Sequence, residues 1–137
     1  MRSSLRVARG PDSGSAVAEF VMVSMLVVVL GMGVIQLGLA LHVRNTLIAC
    51  AAEGARLGAR ADASTSEAAD RTRSLIADVL SPVYAQDVSS RRASTTDGVR
   101  VVEVTVVAPV PVVGLLGPSG AMTVTGRAFD ERQVTDP

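Results

Sequence analysis

The chain has 137 residues with 13 basic residues, all Arg, against 13 acidic ones, so the formal net charge is zero. Neutral charge, no Arg-dense stretch beyond Arg91-Arg92 and no interleaved aromatics speak against nucleic-acid binding. Cys50 is the only cysteine, which excludes a disulfide framework and a four-cysteine metal site, and with two Phe, one Tyr and no Trp any core must rest on Val, Ala, Leu and Met.

The first element in chain order is apolar. Phe20–Leu41 carries no charge, and as a helix it would rise ~33 Å, enough for a hydrocarbon layer of ~30 Å. Only Ser24 and Gln36 interrupt it with polar side chains, and Gln36 falls near the far interface. Arg2, Arg6 and Arg9 precede the run, while Arg44, Arg56 and Arg60 follow it. The positive-inside rule therefore predicts a cytoplasmic amino terminus and a single-pass protein of the cell membrane. A removable secretory signal is the competing reading, with Gly38-Leu39-Ala40 as a small-x-small cut. The run exceeds the ~7–15 residues of a signal core, and a glutamate stands at its start.

That glutamate, Glu19, is costly near a bilayer. If the chain is cut between Gly14 and Ser15, the new α-amine and the Glu19 carboxylate lie at i and i+4 on one helix face. The partial positive charge of a helix amino terminus would act on the same side. A snorkelling or protonated glutamate without a partner is the alternative.

Helical patterning continues from His42 to Arg60 without a proline. Leu47, Cys50, Gly54, Leu57 and Ala61 recur at three- and four-residue spacing. Ala51, Gly54, Ala55, Gly58 and Ala59 form a stripe of small side chains, able to receive another backbone. Packing on the protein's own sheet is the favoured use of that stripe. Glu53 and Arg56 are spaced for a surface ion pair worth ~0.2–0.5 kcal/mol. After a break at Ala61–Thr65, Ser64 and Glu67 read as a capping box. The helix it opens runs to about Leu80, with Ala68, Leu75, Ile76 and Val79 on one side, and Ser81-Pro82 ends it. Val83–Gly98 is polar, with one short strand expected around Ala85–Val88. Val99–Ala108 alternates as a strand, with Val102, Val104, Val106 and Ala108 on one face and Val101, Glu103, Thr105 and Val107 on the other. Ala121–Phe129 is its partner. The connection from Pro109 to Gly120 is unusually apolar for a surface loop, and the polar tail from Asp130 is expected to fray.

The catalytic inventory is thin. His42, the only histidine, sits at the membrane interface. Glu19, Glu53 and Glu103 have no partner for acid–base work, and no nucleophile, phosphate-loop or metal motif is present. No enzyme activity, cofactor, metal or small-molecule substrate is expected.

Gly14-Ser15-Ala16-Val17-Ala18-Glu19-Phe20, the apolar run, Val43-Arg44-Asn45-Thr46-Leu47 and Ala51-Ala52-Glu53-Gly54-Ala55-Arg56 together resemble the TadE-like family. These are pseudopilins or minor pilins of the tight-adherence (Tad/Flp) pilus system of bacteria and archaea. The resemblance is strong over roughly residues 10–60, and the Ala-Glu-Gly-Ala-Arg stretch is its more specific part. It implies cleavage after Gly14 by a membrane prepilin peptidase, with Glu19 and Phe20 in the recognised segment. Ser15 replaces the usual first phenylalanine of mature type IVa pilins, which puts amino-terminal methylation in doubt. It also implies partnership with other Tad pilus subunits and inner-membrane assembly proteins, with Asn45, Glu53, Gly54, Ala55, Arg56 and Gly58 as helix-packing residues.

The expected architecture is α+β. A leader over 1–14 and a membrane helix over 15–41 precede an extracytoplasmic domain over 42–137, with helices about 42–60 and 65–80 and strands about 99–108 and 121–129. The expected role is structural, in assembly of a Tad-type pilus. Rival readings are a membrane-anchored binding module gripping a ligand with the 109–120 connection, and a small domain secreted after Ala40.

Overall fold

The protein is described by a computed structural model covering residues 12–112 and 120–134. Residues 1–11, most of the segment expected as a leader, the middle of the apolar connection, 113–119, and residues 135–137 lie outside the described residues.

One helix, α1, runs without interruption from Asp12 to Ala59. Its first half is rich in Val and includes Gly31 and Gly33, poor helix formers in water. A hydrocarbon solvent reverses that preference, because it offers backbone groups no partner and a helix satisfies them all internally. The chain divides into two compact units after Ile35. In the first, the apolar side chains are exposed on every side of the helix, with Phe20 71%, Leu26 66%, Leu30 67% and Ile35 60% exposed. The helix is long and apolar enough to cross a membrane.

The second unit, from Gln36 onward, is an α+β domain. Here α1 buries one face: Val43, Leu47, Cys50, Ala51, Ala55 and Ala59 enter the core, and Leu39 packs against it. Helix α2, Thr65–Val79, opens on the expected capping box. The Glu67 backbone N–H donates to Ser64 Oγ at 3.2 Å and the Ser64 N–H donates to Glu67 Oε2 at 2.6 Å. These bonds hold the Glu67 carboxyl below its usual range, the Ser64 backbone donor contributing most. Ala68, Thr72 and Ile76, spaced four apart, are fully buried. Thr72 tolerates this because its hydroxyl donates to the Ala68 carbonyl at 2.8 Å. Val79, expected on the same side, is instead 62% exposed. It stands in the last turn of α2.

Three strands form an antiparallel meander in the order β1-β2-β3, with β1 Asp87–Ser94, β2 Arg100–Pro109 and β3 Ala121–Phe129. On the helix-facing side Val88, Val106 and Val124 share one cross-strand row, and Val102, Val104 and Ala108 continue the core along β2. Gly126 is required for the closeness of this layer. A Cβ there would lie 2.3 Å from backbone atoms of both Ala51 and Ala52 on α1.

Two expectations need correction. The segment expected to carry a short strand around 85–88 forms a 3-10 turn over Pro82–Ala85 and then an eight-residue strand. Only Val88 of β1 is buried, so backbone pairing with β2, not apolar alternation, makes it a strand. Nor does the chain fray from Asp130. That residue is 2% exposed, and its N–H donates to the Arg100 carbonyl at 3.0 Å before a short turn over Glu131–Val134.

Candidate functional site

The residues singled out from sequence fall into two separate groups. Gly14, Ser15, Glu19 and Phe20 lie in the first turns of α1 and are all exposed. A Cβ added at Gly14 would meet nothing within 4 Å. The position thus has open space around it on the protein itself. Ser15 and Glu19 share a helix face by their spacing.

The second group divides further. Gly54, Ala55 and Gly58 are buried within the domain. A Cβ on Gly54 would lie 1.9 Å from Thr72 Oγ1 and 2.7 Å from the Ala68 carbonyl oxygen, and one on Gly58 would lie 2.6 Å from Ala68 Cβ. The small-residue stripe is therefore occupied by α2 and the sheet. Asn45, Glu53 and Arg56 stay exposed, and Arg56 Nη1 reaches Glu53 Oε2 at 3.3 Å as the spacing predicts. Such an exposed pair adds little to stability.

Two polar clusters were not legible from sequence. On the open face of the sheet Arg91, Glu103 and Arg127 occupy one cross-strand row. Arg91 Nη2 donates to Glu103 Oε1 at 2.6 Å, and Arg127 Nε donates to Glu103 Oε2 at 2.6 Å. Glu103 faces out of the packed layer as expected, yet its side chain is only 7% exposed because the two guanidiniums cover it. Hydrogen bonds from Arg91, then Arg127, hold its carboxyl below the usual glutamate range. The spacing of these residues within single strands carries no sign of the row; it emerges only once the register is known. At the other face, Arg92 Nε donates to buried Asp130 Oδ2 at 3.2 Å, and Arg92 and Arg132 both donate to the Ala63 carbonyl. These bonds tie the loop between the helices to β1 and to the turn that follows β3.

An open groove of about 530 Å³ is lined by Arg56, Ala59, Arg127, Ala128, Phe129 and Glu131. It combines two guanidiniums with one carboxylate and holds no Ser, Cys or His. Among the described residues no group of three or more His, Cys, Asp or Glu side chains converges. The chemistry on display is that of packing surfaces and ion pairs.

Residues 14–56 match the family model described as TadE-like protein. The matched segment lies wholly within α1 and contains every residue singled out above from the sequence except Gly58. No curated protein and no solved structure matches the chain. Over residues 14–56, about a third of its length, the chain is similar to TadE-like protein.

Proposed function

We propose that this protein is a pseudopilin or minor pilin whose work is structural: it assists assembly of a Tad-type pilus after its leader is removed. The observation that carries the reading is the TadE-like match on a helix whose apolar residues are exposed all round before Gln36. A helix apolar on every side needs lipid or other helices as solvent. In this reading a prepilin peptidase cuts between Gly14 and Ser15, the amino terminus is cytoplasmic and the α+β domain lies outside the cytoplasm. The new α-amine then pairs with Glu19, of its own chain or a neighbour, and lowers the cost of a carboxylate at the bilayer edge. The partners are the peptidase, other pilus subunits and inner-membrane assembly proteins. No catalytic step is assigned to the chain.

Intact mass from native membranes tests the cut, with a start at Ser15 expected. Gly14→Val should leave the chain inserted and uncut, because the peptidase must accept an extended, unbranched backbone there. Glu19→Val should insert at least as well as the parent while piliation falls. Wild-type piliation by Glu19→Val would remove the glutamate from the mechanism.

A further inference from the structure

The domain and the apolar run overlap in sequence. Gln36 to Leu41 belong to the uncharged run, and the same residues open the α+β unit. Along a helix Gln36 lies ~24 Å beyond Phe20 and ~7.5 Å short of Leu41. A hydrocarbon layer of ~30 Å that starts at Phe20 therefore extends past Gln36. At this level the Gln36 side-chain amide donates to the carbonyl of Pro111, in the connection between β2 and β3. The neck of that connection is thus held at the level of Gln36 on α1.

The neck is built for such a place. Lipid penalises unpaired backbone N–H and C=O groups alike. Pro109 and Pro111 have no N–H, and the intervening Val110 N–H donates to the Gly120 carbonyl at 3.0 Å. Three successive positions therefore offer no orphan donor. The sequence carries no Asp, Glu, Lys or Arg anywhere between Glu103 and Arg127. Val112 is 45% exposed, and Leu37 and Leu41 on α1 are 60% and 49% exposed. The opposite end of the sheet differs in kind. There the β1–β2 turn carries Asp97 and is followed by Arg100.

We propose that the β2–β3 end of the sheet, at Val110–Val112 and Gly120, is a second membrane contact, seated in the boundary between lipid headgroups and acyl chains. The proposal rests on the membrane reading of residues 20–41 and is independent of the pilus role. Its occupant is lipid, because the surface is continuous with the apolar run through the Gln36–Pro111 bond. Immersion of ~5–10 Å is the depth at which apolar side chains bury while flanking polar groups stay wet. The contact also accounts for Gln36, one of two polar residues in the apolar run, as the link that binds this end of the sheet to the helix.

The test uses the full chain with Cys50→Ala, reconstituted in phosphatidylcholine–phosphatidylglycerol vesicles. Single cysteines at Val112→Cys, Gly120→Cys, Leu30→Cys and Asp97→Cys carry an environment-sensitive fluorophore. Gly120 accepts the change, since an added Cβ meets nothing within 4 Å. Nitroxide groups on the lipid chains act as quenchers. Emission at 112 and 120 is expected to be blue-shifted and lost to the quencher, as at 30, while that at 97 is unaffected. Quenching at 30 with 112 and 120 behaving like 97 overturns the proposal and leaves the membrane helix standing. Equal quenching at 97 and 112 also overturns it, since the contact would not then belong to one end of the sheet. No quenching at 30 overturns the membrane reading itself, and the proposal with it.

Discussion

The two halves of α1 are the same secondary structure under different rules. Before Gln36, large apolar side chains point in every direction and glycines stand in open space. After it, a single face is buried, its side chains shrinking from Val43 and Leu47 to Ala and Gly beyond Cys50, and the remainder is mixed, with Arg44, Glu53 and Arg56 exposed. In lipid the first half is helical because that solvent leaves the backbone no alternative; the second is helical because one face is held by α2 and the sheet. Identity at a helix position therefore matters through volume in one half and through polarity in the other.

The largest test of that contrast is the same substitution in each half. Gly54→Ala forces a Cβ to 1.9 Å from Thr72 Oγ1 and 2.7 Å from a carbonyl oxygen, so it should destabilise the domain by ~3 kcal/mol or more. Gly33→Ala meets nothing within 4 Å, and should be neutral or stabilising by up to ~1 kcal/mol. Denaturant midpoints of the full chain in detergent micelles compare them directly. Equal effects would break the contrast. Gly58→Leu should likewise abolish protease resistance of the 36–137 region, because the stripe is inside the fold.

Of intermediate size is Asp130→Ala. It removes the carboxylate that Arg92 meets at 3.2 Å and that accepts the Arg132 N–H at 3.1 Å. The expected cost is ~1–3 kcal/mol, again in the denaturant midpoint. Membrane insertion should not change, since only the domain's polar ties are cut.

The smallest effect concerns acid. Because Arg91 and Arg127 hold Glu103 below the ordinary glutamate range, its contribution is complete above that range. It is lost as pH falls through that range toward the lowered value. Glu103→Gln should flatten this part of the pH dependence of stability. With the arginine side chains 71% and 65% exposed, the change should stay below ~1 kcal/mol.

The elements that sequence reveals best are those whose partners are also apolar. The alternation of Val102, Val104, Val106 and Ala108 marks β2 because each of those side chains enters the core. The capping box marks the start of α2 because its bonds are local. β1 was hidden for the opposite reason: Ser90 and Arg92 stand on its helix-facing side, held by the Thr65 carbonyl and by Asp130. A polar side chain whose partner lies 38 residues away in the chain leaves no periodic mark. Thr72 was passed over on α2 because its hydroxyl is satisfied one turn back along the helix, which composition alone does not announce. The use expected of the 14–20 segment is read from resemblance and from the cost of Glu19 beside an apolar run, since both Gly14 and Glu19 are exposed on α1.

The Ala and Gly face of α1 has a consequence for the order in which the chain is made. Synthesis delivers α1 before α2 or any strand exists, and amino-terminal elements wait for their partners. A waiting face of Leu or Phe would offer a broad apolar surface to every neighbour. A face built from Ala51, Gly54, Ala55, Gly58 and Ala59 exposes few methyl groups, so the helix can stand uncovered in water with little tendency to stick. The same small side chains later let α2 and β3 approach to backbone contact. Patience before folding and tight packing after it come from one choice of residue size.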